Sequence, residues 1–176
     1  SKNFELFEDL LSAAATMDLD QCDLSQLYVV SLHCGLEWPT ASFPWLKVRH
    51  EKLREAYSRY FSEVRPSRLQ RDVAAALDRI GWAHDFEYVT NEGLSLDMAQ
   101  PGERRGVEVD GPSHYLKGRT GCVELANGPT RFKSRLLRRL GWDVAHVPFF
   151  EWNALGAVAK SQDAYLRAKL SHHHAT

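Results

Sequence analysis

Apolar residues in the first third of the chain recur at helical spacing. Between Phe4 and His33 they return every three to four residues, which predicts two amphipathic helices. A proline-containing loop follows, and a third helix is predicted from about Trp45 to Phe61. Residues 1–65 are therefore predicted to be a small all-α region. Its helices are compatible with the end of a helical-repeat array, although no internal period is detectable.

The pattern changes after Arg65–Pro66–Ser67, where a boundary is predicted. Ser67 is a typical N-cap, and the apolar stripe that follows it predicts a helix ending at Gly81. Alternating apolar residues then predict three strands, a polar loop follows, and helical and alternating patterns return toward the C-terminus. The predicted strands are Trp82–Thr90, Leu94–Met98 and Gly106–Asp110, followed by a helix Pro129–Leu140, a strand Asp143–Phe149 and a helix Asn153–Leu170. The order αβββαβα predicts an α/β domain.

Three carboxylates stand in the predicted second and third strands. Asp97 lies among apolar residues of the second strand, and Glu108 and Asp110 are two residues apart in the third, so their side chains leave the same face. A single acid here would most simply end a strand in water. Three acids in short apolar strands are costly unless they are paired, hydrogen-bonded or bound to a metal, so together they indicate a functional site.

The helix from Pro129 to Leu140 presents a lysine on its apolar side. At about 100° per residue, Lys133 falls inside the arc of Phe132, Leu136 and Leu137. A lysine that faces a core commonly pairs with a carboxylate. We therefore predict a contact from Lys133 to Asp110 or Glu108.

Positive charge is concentrated in the middle of this domain, although the whole chain has a net charge of −1. Residues 101–140 hold nine Lys and Arg against four Asp and Glu, a local excess of five. An arginine stripe on a helix is commonly just a solvated face, but here it adds to a regional positive field that favours phosphate binding. Tyr115 and His114 add a ring that could stack on a base and a titratable imidazole. The predicted RNA-binding residues are Arg104, Arg105, Lys117, Arg119, Arg131, Arg135, Arg138 and Tyr115.

The remaining composition excludes several classes of protein. Cys22, Cys34 and Cys122 are far apart and match no zinc-ligand spacing, which indicates a reducing compartment rather than a disulfide scaffold. No apolar run approaches the roughly 18 residues of a membrane-spanning helix. The sequence therefore predicts a soluble protein without a membrane partner.

Several motifs after residue 105 occur together in one known family. The motifs Gly106–Tyr115, Asn127–Leu137, Leu140–Trp152 and Ala164–Leu170 stand in the order found in the RAP domain, an RNA-binding module abundant in apicomplexans, and the chain resembles that family over about residues 67–170. The resemblance implies a restriction-endonuclease-like, PD-(D/E)xK core over residues 66–170, with a tail over 171–176. It also implies a preceding helical-repeat region.

The resemblance further implies a function on organellar RNA. It points to a protein of the mitochondrial matrix, or alternatively of plastids, that acts in the processing or stability of rRNA or mRNA, or in ribosome assembly. In an active nuclease of this type two acids, here Asp97 and Glu108, would hold Mg²⁺. The sequence departs from that pattern because Asp110 stands where a lysine is expected, with Lys133 and His114 as substitutes.

Three hypotheses follow. The favoured one is an RNA-binding module without catalysis, which acts on single-stranded RNA or rRNA. The second is a Mg²⁺-dependent endoribonuclease that uses Asp97, Glu108, Asp110, Lys133 and His114. The third is a structural component of a mitochondrial ribosome, held by ribosomal proteins.

Overall fold

The computed structural model describes residues 2–40, 43–62, 65–117 and 123–172. Contacts divide the chain into two compact units, residues 1–64 and 65–176. Among the described helices, none combines the length and apolar character needed to cross a bilayer.

The first unit is helical, as predicted. Its helices are α1 (Lys2–Ala14), α2 (Gln21–Glu37) and α3 (Pro44–Ser62). Asp20 begins α2 with a capping box, since its carboxylate accepts the N–H of Asp23 and the Asp23 carboxylate accepts the N–H of Asp20. Buried Tyr28, Leu53 and Tyr57 hold α2 against α3.

The second unit is a mixed α/β domain, and this part of the predicted fold class is confirmed. Its described elements are α4 (Arg68–Arg79), β1 (Asp85–Val89), β2 (Ser95–Gln100), β3 (Arg105–Asp110), β4 (Tyr115–Lys117), β5 (Val123–Ala126), α5 (Gly128–Arg139), β6 (Asp143–Pro148), α6 (Phe149–Ala154) and α7 (Ala159–His172). The four-stranded sheet has the order β1-β2-β3-β6. β1, β2 and β3 are antiparallel, whereas β6 runs parallel to β3.

Helices cover both faces of this sheet. On one face α4 and α7 bury a core that includes Val73, Leu77, Met98, Val107 and Leu166. Because side chains alternate along a strand, Glu108 and Asp110, the neighbours of Val109 in β3, point to the other face. That face is covered by α5. This helix lies between β3 and β6 in the chain and forms part of the crossover that two parallel strands require. The sheet therefore separates an apolar layer from a layer that contains the acids.

The predicted polar loop after β3 contains a hairpin, so this prediction was wrong. Tyr115 pairs with Ala126 and Leu116 with Leu125, in a second sheet made of β4 and β5. Its base is closed by Asn127, whose N–H donates to the His114 carbonyl at 2.8 Å. Strands of three and four residues are too short to give a periodic signal, and this closing contact depends on the fold.

The predicted C-terminal helix was also wrong in its bounds. Phe149, predicted as the end of a strand, begins α6, and α6 ends at Ala154. Gly156 has φ of 62°, a conformation that glycine adopts without steric cost and that ends a helix. A turn therefore separates α6 from α7 where the apolar spacing suggested one continuous helix.

Candidate nucleic-acid interface

The acids occupy the middle of the sheet. Asp97 lies in β2, and Glu108 and Asp110 are buried residues of β3 with only 5% and 2% of their surface exposed. Val109, between them, belongs to the apolar core under α4 and α7. Glu108 and Asp110 consequently face α5, as their spacing predicted.

Asp97 is held by the backbone and by a glutamine. One carboxylate oxygen accepts the N–H of Val109 at 2.7 Å, and the other accepts the side-chain N–H of Gln70 at 2.6 Å. The pairing of β2 with β3 ends at Met98 opposite Val107. The Asp97 side chain therefore accepts a backbone N–H that lies beyond the end of this pairing. Gln70 is itself fixed, because it forms the capping box of α4 with Ser67.

The environment of Asp97 disfavours its charge. Burial raises the pKa of its carboxyl to about 6, and the nearby charge of Glu108 adds to the rise. The N–H of Val109, the charge of Lys133 and the hydrogen bond from Gln70 oppose it. Asp97 is therefore a weaker acid than an ordinary aspartate.

Lys133 neutralises Glu108. Its Nζ lies 3.0 and 2.9 Å from the two carboxylate oxygens of Glu108, and it also donates to Ser95 Oγ at 3.3 Å. The predicted contact from the inward lysine of α5 to an acid of β3 is confirmed, with Glu108 as the partner. The bidentate contact fastens α5 to the centre of the sheet.

Asp110 shares the face of Glu108 but has other partners. Its carboxylate lies 2.8 Å from His146 Nδ1, accepts the Tyr115 hydroxyl at 3.3 Å and lies 3.4 Å from His114 Nδ1. His146 of β6 stands beside Glu108 in the parallel register and shares the face of Asp110. The contact from β6 to Asp110 was not predicted, because the sequence pattern did not relate β6 to β3.

His146 lies between Asp110 and a serine of α5. Burial opposes its charge, but the hydrogen bond and the charge of Asp110 outweigh this effect and raise the pKa of His146. Its Nε2 lies 2.9 Å from Ser134 Oγ, while the Ser134 hydroxyl donates to the Thr130 carbonyl at 2.9 Å. The raised pKa of His146 favours its protonated form, in which Nδ1 donates to Asp110 and Nε2 can donate to Ser134 Oγ.

Three arginines line the outer side of α5. Arg131, Arg135 and Arg138 are exposed and follow one another at intervals of four and three residues. All three border a cavity of about 630 Å³ that also reaches Asp110 and His146. The structure thus brings the predicted arginine stripe together with Tyr115 and Asp110.

Two other predicted RNA-binding arginines lie elsewhere. Arg104 donates to the Leu140 carbonyl at 2.8 Å, and Arg105 donates to the Leu170 carbonyl at 3.0 Å. Both stand at the opposite end of β3 from Asp110, and they are not among the residues that border the cavity. The Lys117 side chain and Arg119 lie outside the described residues.

Asp97 and Glu108, the two acids predicted to hold Mg²⁺, accept hydrogen bonds from the protein itself. Both oxygens of Asp97 accept N–H groups, and both oxygens of Glu108 contact Lys133. Within the described parts of the chain, no group of three or more His, Cys, Asp or Glu side chains could hold a metal ion. This donor set fits an internal ion-pair network and does not fit a Mg²⁺ centre, which needs carboxylate oxygens directed at an open position.

Several residues of the site could not be read from the sequence. Gln70 contacts Asp97, His146 contacts Asp110, and Ser134 contacts His146, and these contacts form only because α4, α5 and β6 meet at the sheet. Glu87 of β1 is a further acid near Asp97; burial and the charge of Asp97 raise the pKa of Glu87. The available signal was His146, a polar residue between the apolar Ala145 and Val147 of β6.

Comparisons with known proteins agree with the motifs. Residues 107–169, from β3 to α7, match the family model described as the RAP domain. Over 137 residues, 77% of this chain, the sequence is 28% identical to a rice protein (Oryza sativa subsp. japonica) named "RAP domain-containing protein, chloroplastic". The match covers 21% of that protein, so the chain spans about a fifth of the length of this curated relative. The resemblance inferred from the sequence motifs is confirmed.

Proposed function

Because residues 107–169 carry a RAP domain, a family generally linked to RNA binding, we propose that this chain binds RNA through the outer side of α5. The contact residues are Arg131, Arg135 and Arg138, with Tyr115 beside them. The proposal is one of binding without bond cleavage.

The observation that carries the proposal is that the buried acids have partners inside the domain, whereas the three arginines of α5 are exposed. Glu108 is neutralised by Lys133, and Asp110 by His146, both on the inner side of α5. The acids therefore do not cancel the field of the three exposed arginines. A concentrated positive field on one helix is the electrostatic footprint of a phosphate-binding surface.

The test measures affinity for a single-stranded RNA against salt. Each neutralised phosphate contributes about 0.7 to the slope of log affinity against log salt. Replacing Arg131, Arg135 and Arg138 by Gln should weaken binding at low salt and reduce the slope by about 2. Fluorescence anisotropy over a salt series provides both values.

The matched control replaces three exposed arginines on the opposite helical layer, Arg68, Arg71 and Arg167, by Gln. The net charge of the two variants is identical, so a non-specific charge effect would weaken both equally. Equal losses, or binding that does not depend on salt, would reject the α5 surface.

A cleavage assay separates this proposal from the ribonuclease hypothesis. Labelled RNA incubated with the protein and Mg²⁺ should remain intact, because the oxygens of Asp97 and Glu108 are engaged by protein donors. Cleavage by the unaltered protein that disappears in an Asp97→Ala/Glu108→Ala variant would replace the binding proposal with a metal-dependent endoribonuclease.

We also propose that the second unit is a variant of the PD-(D/E)xK nuclease-like fold and acts on organellar RNA. Acids on neighbouring strands β2 and β3, with a crossover helix before β6, support the fold assignment. The name of the rice relative supports an organelle, and we favour the mitochondrial matrix, with plastids as the alternative. The proposed processes are the processing or stability of rRNA or mRNA and ribosome assembly, including a structural role in the ribosome. Crosslinking in fractionated organelles, followed by sequencing of the bound RNA, identifies the organelle and the RNA.

A further inference from the structure

The cavity beside α5 has the size of a small-ligand site. At about 630 Å³ it falls within the range of roughly 300–1,000 Å³ typical of such sites. The β4–β5 hairpin forms one side, where Tyr115 stands opposite Ala126, and α5 contributes the other. The small side chain of Ala126 leaves room beside the tyrosine ring.

The lining of the cavity combines cations with hydroxyl groups. Asp110, the acid at its base, already receives contacts from His146, His114 and Tyr115. His146 lies 2.8 Å from Asp110, and its raised pKa favours an imidazolium that offsets the charge of this carboxylate. The arginines of α5 therefore leave the cavity positive, and a ligand with a negative charge fits it.

The polar and aromatic groups in the cavity suit a nucleobase better than a bare anion. Thr130 and Ser134 border the cavity, and Tyr115 supplies an aromatic ring. Phe132 also borders the space, with the Arg135 guanidinium 5.1 Å from its ring centroid. Rings and guanidinium planes are the surfaces on which unstacked bases are held.

We propose that this cavity receives one unstacked nucleotide of a bound RNA strand, with its base against Tyr115 and its phosphate on the arginines of α5. This inference rests on the proposed RNA binding and deepens it, because it adds a base-holding cavity to a phosphate-binding surface. The nucleotide enters from a single strand, since a base inside a duplex is stacked on both sides.

The test fills the cavity without changing any charge. Ala126→Phe places a ring where the base would lie, and Tyr115→Leu removes the ring against which it would stack. Each should weaken binding of a ten-nucleotide single-stranded RNA roughly ten-fold, because a stacked base contributes a factor of this order. Affinity for inorganic polyphosphate, a polyanion without bases, should not change in either variant.

Matched variants guard against unfolding and non-specific effects. Tyr115→Phe keeps the ring and should retain RNA affinity, whereas Ala75→Phe adds a ring to the exposed face of α4 and should change nothing. Circular dichroism establishes that each variant is folded. If Ala126→Phe fails to fold, the comparison of Tyr115→Leu with Tyr115→Phe decides the question.

The outcomes separate this inference from the proposed function. RNA affinity that survives both Ala126→Phe and Tyr115→Leu, but is lost in the triple arginine variant, would reject the cavity and retain the α5 surface. An unaltered protein that binds no RNA would reject both proposals. Nucleoside monophosphates that bind the unaltered protein but not Ala126→Phe, with RNA affinity unchanged, would instead assign the cavity to free nucleotides.

Discussion

At the scale of single residues, the function of an acid in this domain depends on which donors reach it. Glu108 is compensated by Lys133, and Asp110 by His146. Asp97 accepts two N–H groups, but its burial and the nearby charge of Glu108 raise its pKa to about 6. Three carboxylates that look equivalent in the sequence thus have three different electrostatic environments.

Asp97 makes stability depend on pH. Its pKa is higher in the folded protein than the ordinary value of 3.8, so its contribution to stability is complete below pH 3.8 and is lost as pH rises through about 6. The loss amounts to about 3 kcal/mol, from about 1.4 kcal/mol for each pKa unit. Asp97→Asn should remove this dependence, because the amide oxygen still accepts the Val109 N–H and cannot ionise.

The measurement is urea unfolding of the unaltered protein and the Asp97→Asn variant between about pH 3 and about pH 7, a range that spans the titration of Asp97. The control is Asp85→Asn, at an exposed carboxylate of β1, which should retain the unaltered profile. Parallel pH profiles for the Asp97→Asn variant and the unaltered protein would show that Asp97 does not titrate in this range.

At the scale of elements, one ion pair joins a helix to the centre of the sheet. Lys133 is 27% exposed and Glu108 is 7% exposed at their side chains, so their charges are only partly screened by solvent. The same helix turns its arginines outward. α5 therefore uses its inner side for attachment and its outer side for the proposed binding.

Removing the cation alone should be strongly destabilising. Lys133→Met leaves Glu108 buried without its partner and should lower the free energy of unfolding by about 3–5 kcal/mol. Adding Glu108→Gln should recover a large part of this loss, since the uncompensated charge is gone. Urea unfolding at pH 7 gives the values, and Lys160→Met, at an exposed position of α7, serves as the control. A double variant as unstable as Lys133→Met would contradict the role of the buried charge.

Elements with long apolar periods were predictable from the sequence. The cap at Ser67 and the stripe after it predicted α4, and the position of Lys133 on a helical wheel predicted its contact with β3. The β4–β5 hairpin and the break at Gly156 were not predicted, because short strands carry no period and a glycine turn within an apolar stripe leaves it unbroken. Local periodicity is informative only over several turns or several strand residues.

Contacts between distant elements limited the prediction of the site. The sequence placed Asp110 with Glu108 because they are two residues apart. His146 lies 36 residues after Asp110 and reaches it only through the parallel pairing of β3 with β6. The strand pattern alone does not contain that register, so the division of the acids into two groups required the structure.

At the scale of the whole molecule, the chain consists of two units with separate cores. The core of the second unit is built from residues between Val73 and Leu170, all within residues 65–176. The RAP match, from 107 to 169, leaves out α4 and the strands β1 and β2. α4 nevertheless supplies Val73 and Leu77 to that core, so the folding unit is larger than the matched segment.

Residues 65–176 should therefore fold without the first unit. We expect the isolated segment to unfold in one cooperative transition on heating, because its buried core is complete. A second segment, residues 105–176, lacks α4 and β2 and should show no cooperative transition. Circular dichroism during heating measures both. Cooperative unfolding of the shorter segment, or its absence in the longer one, would contradict this division.

The contact from Asp97 to the Val109 N–H has a consequence for the evolution of such domains. A carboxylate that accepts a backbone N–H at the end of a strand pairing has a structural role whether or not the protein cleaves RNA. A lineage that lost catalysis would keep this acid. Assigning enzymes in the family by the presence of this acid alone would therefore include proteins that do not cleave RNA.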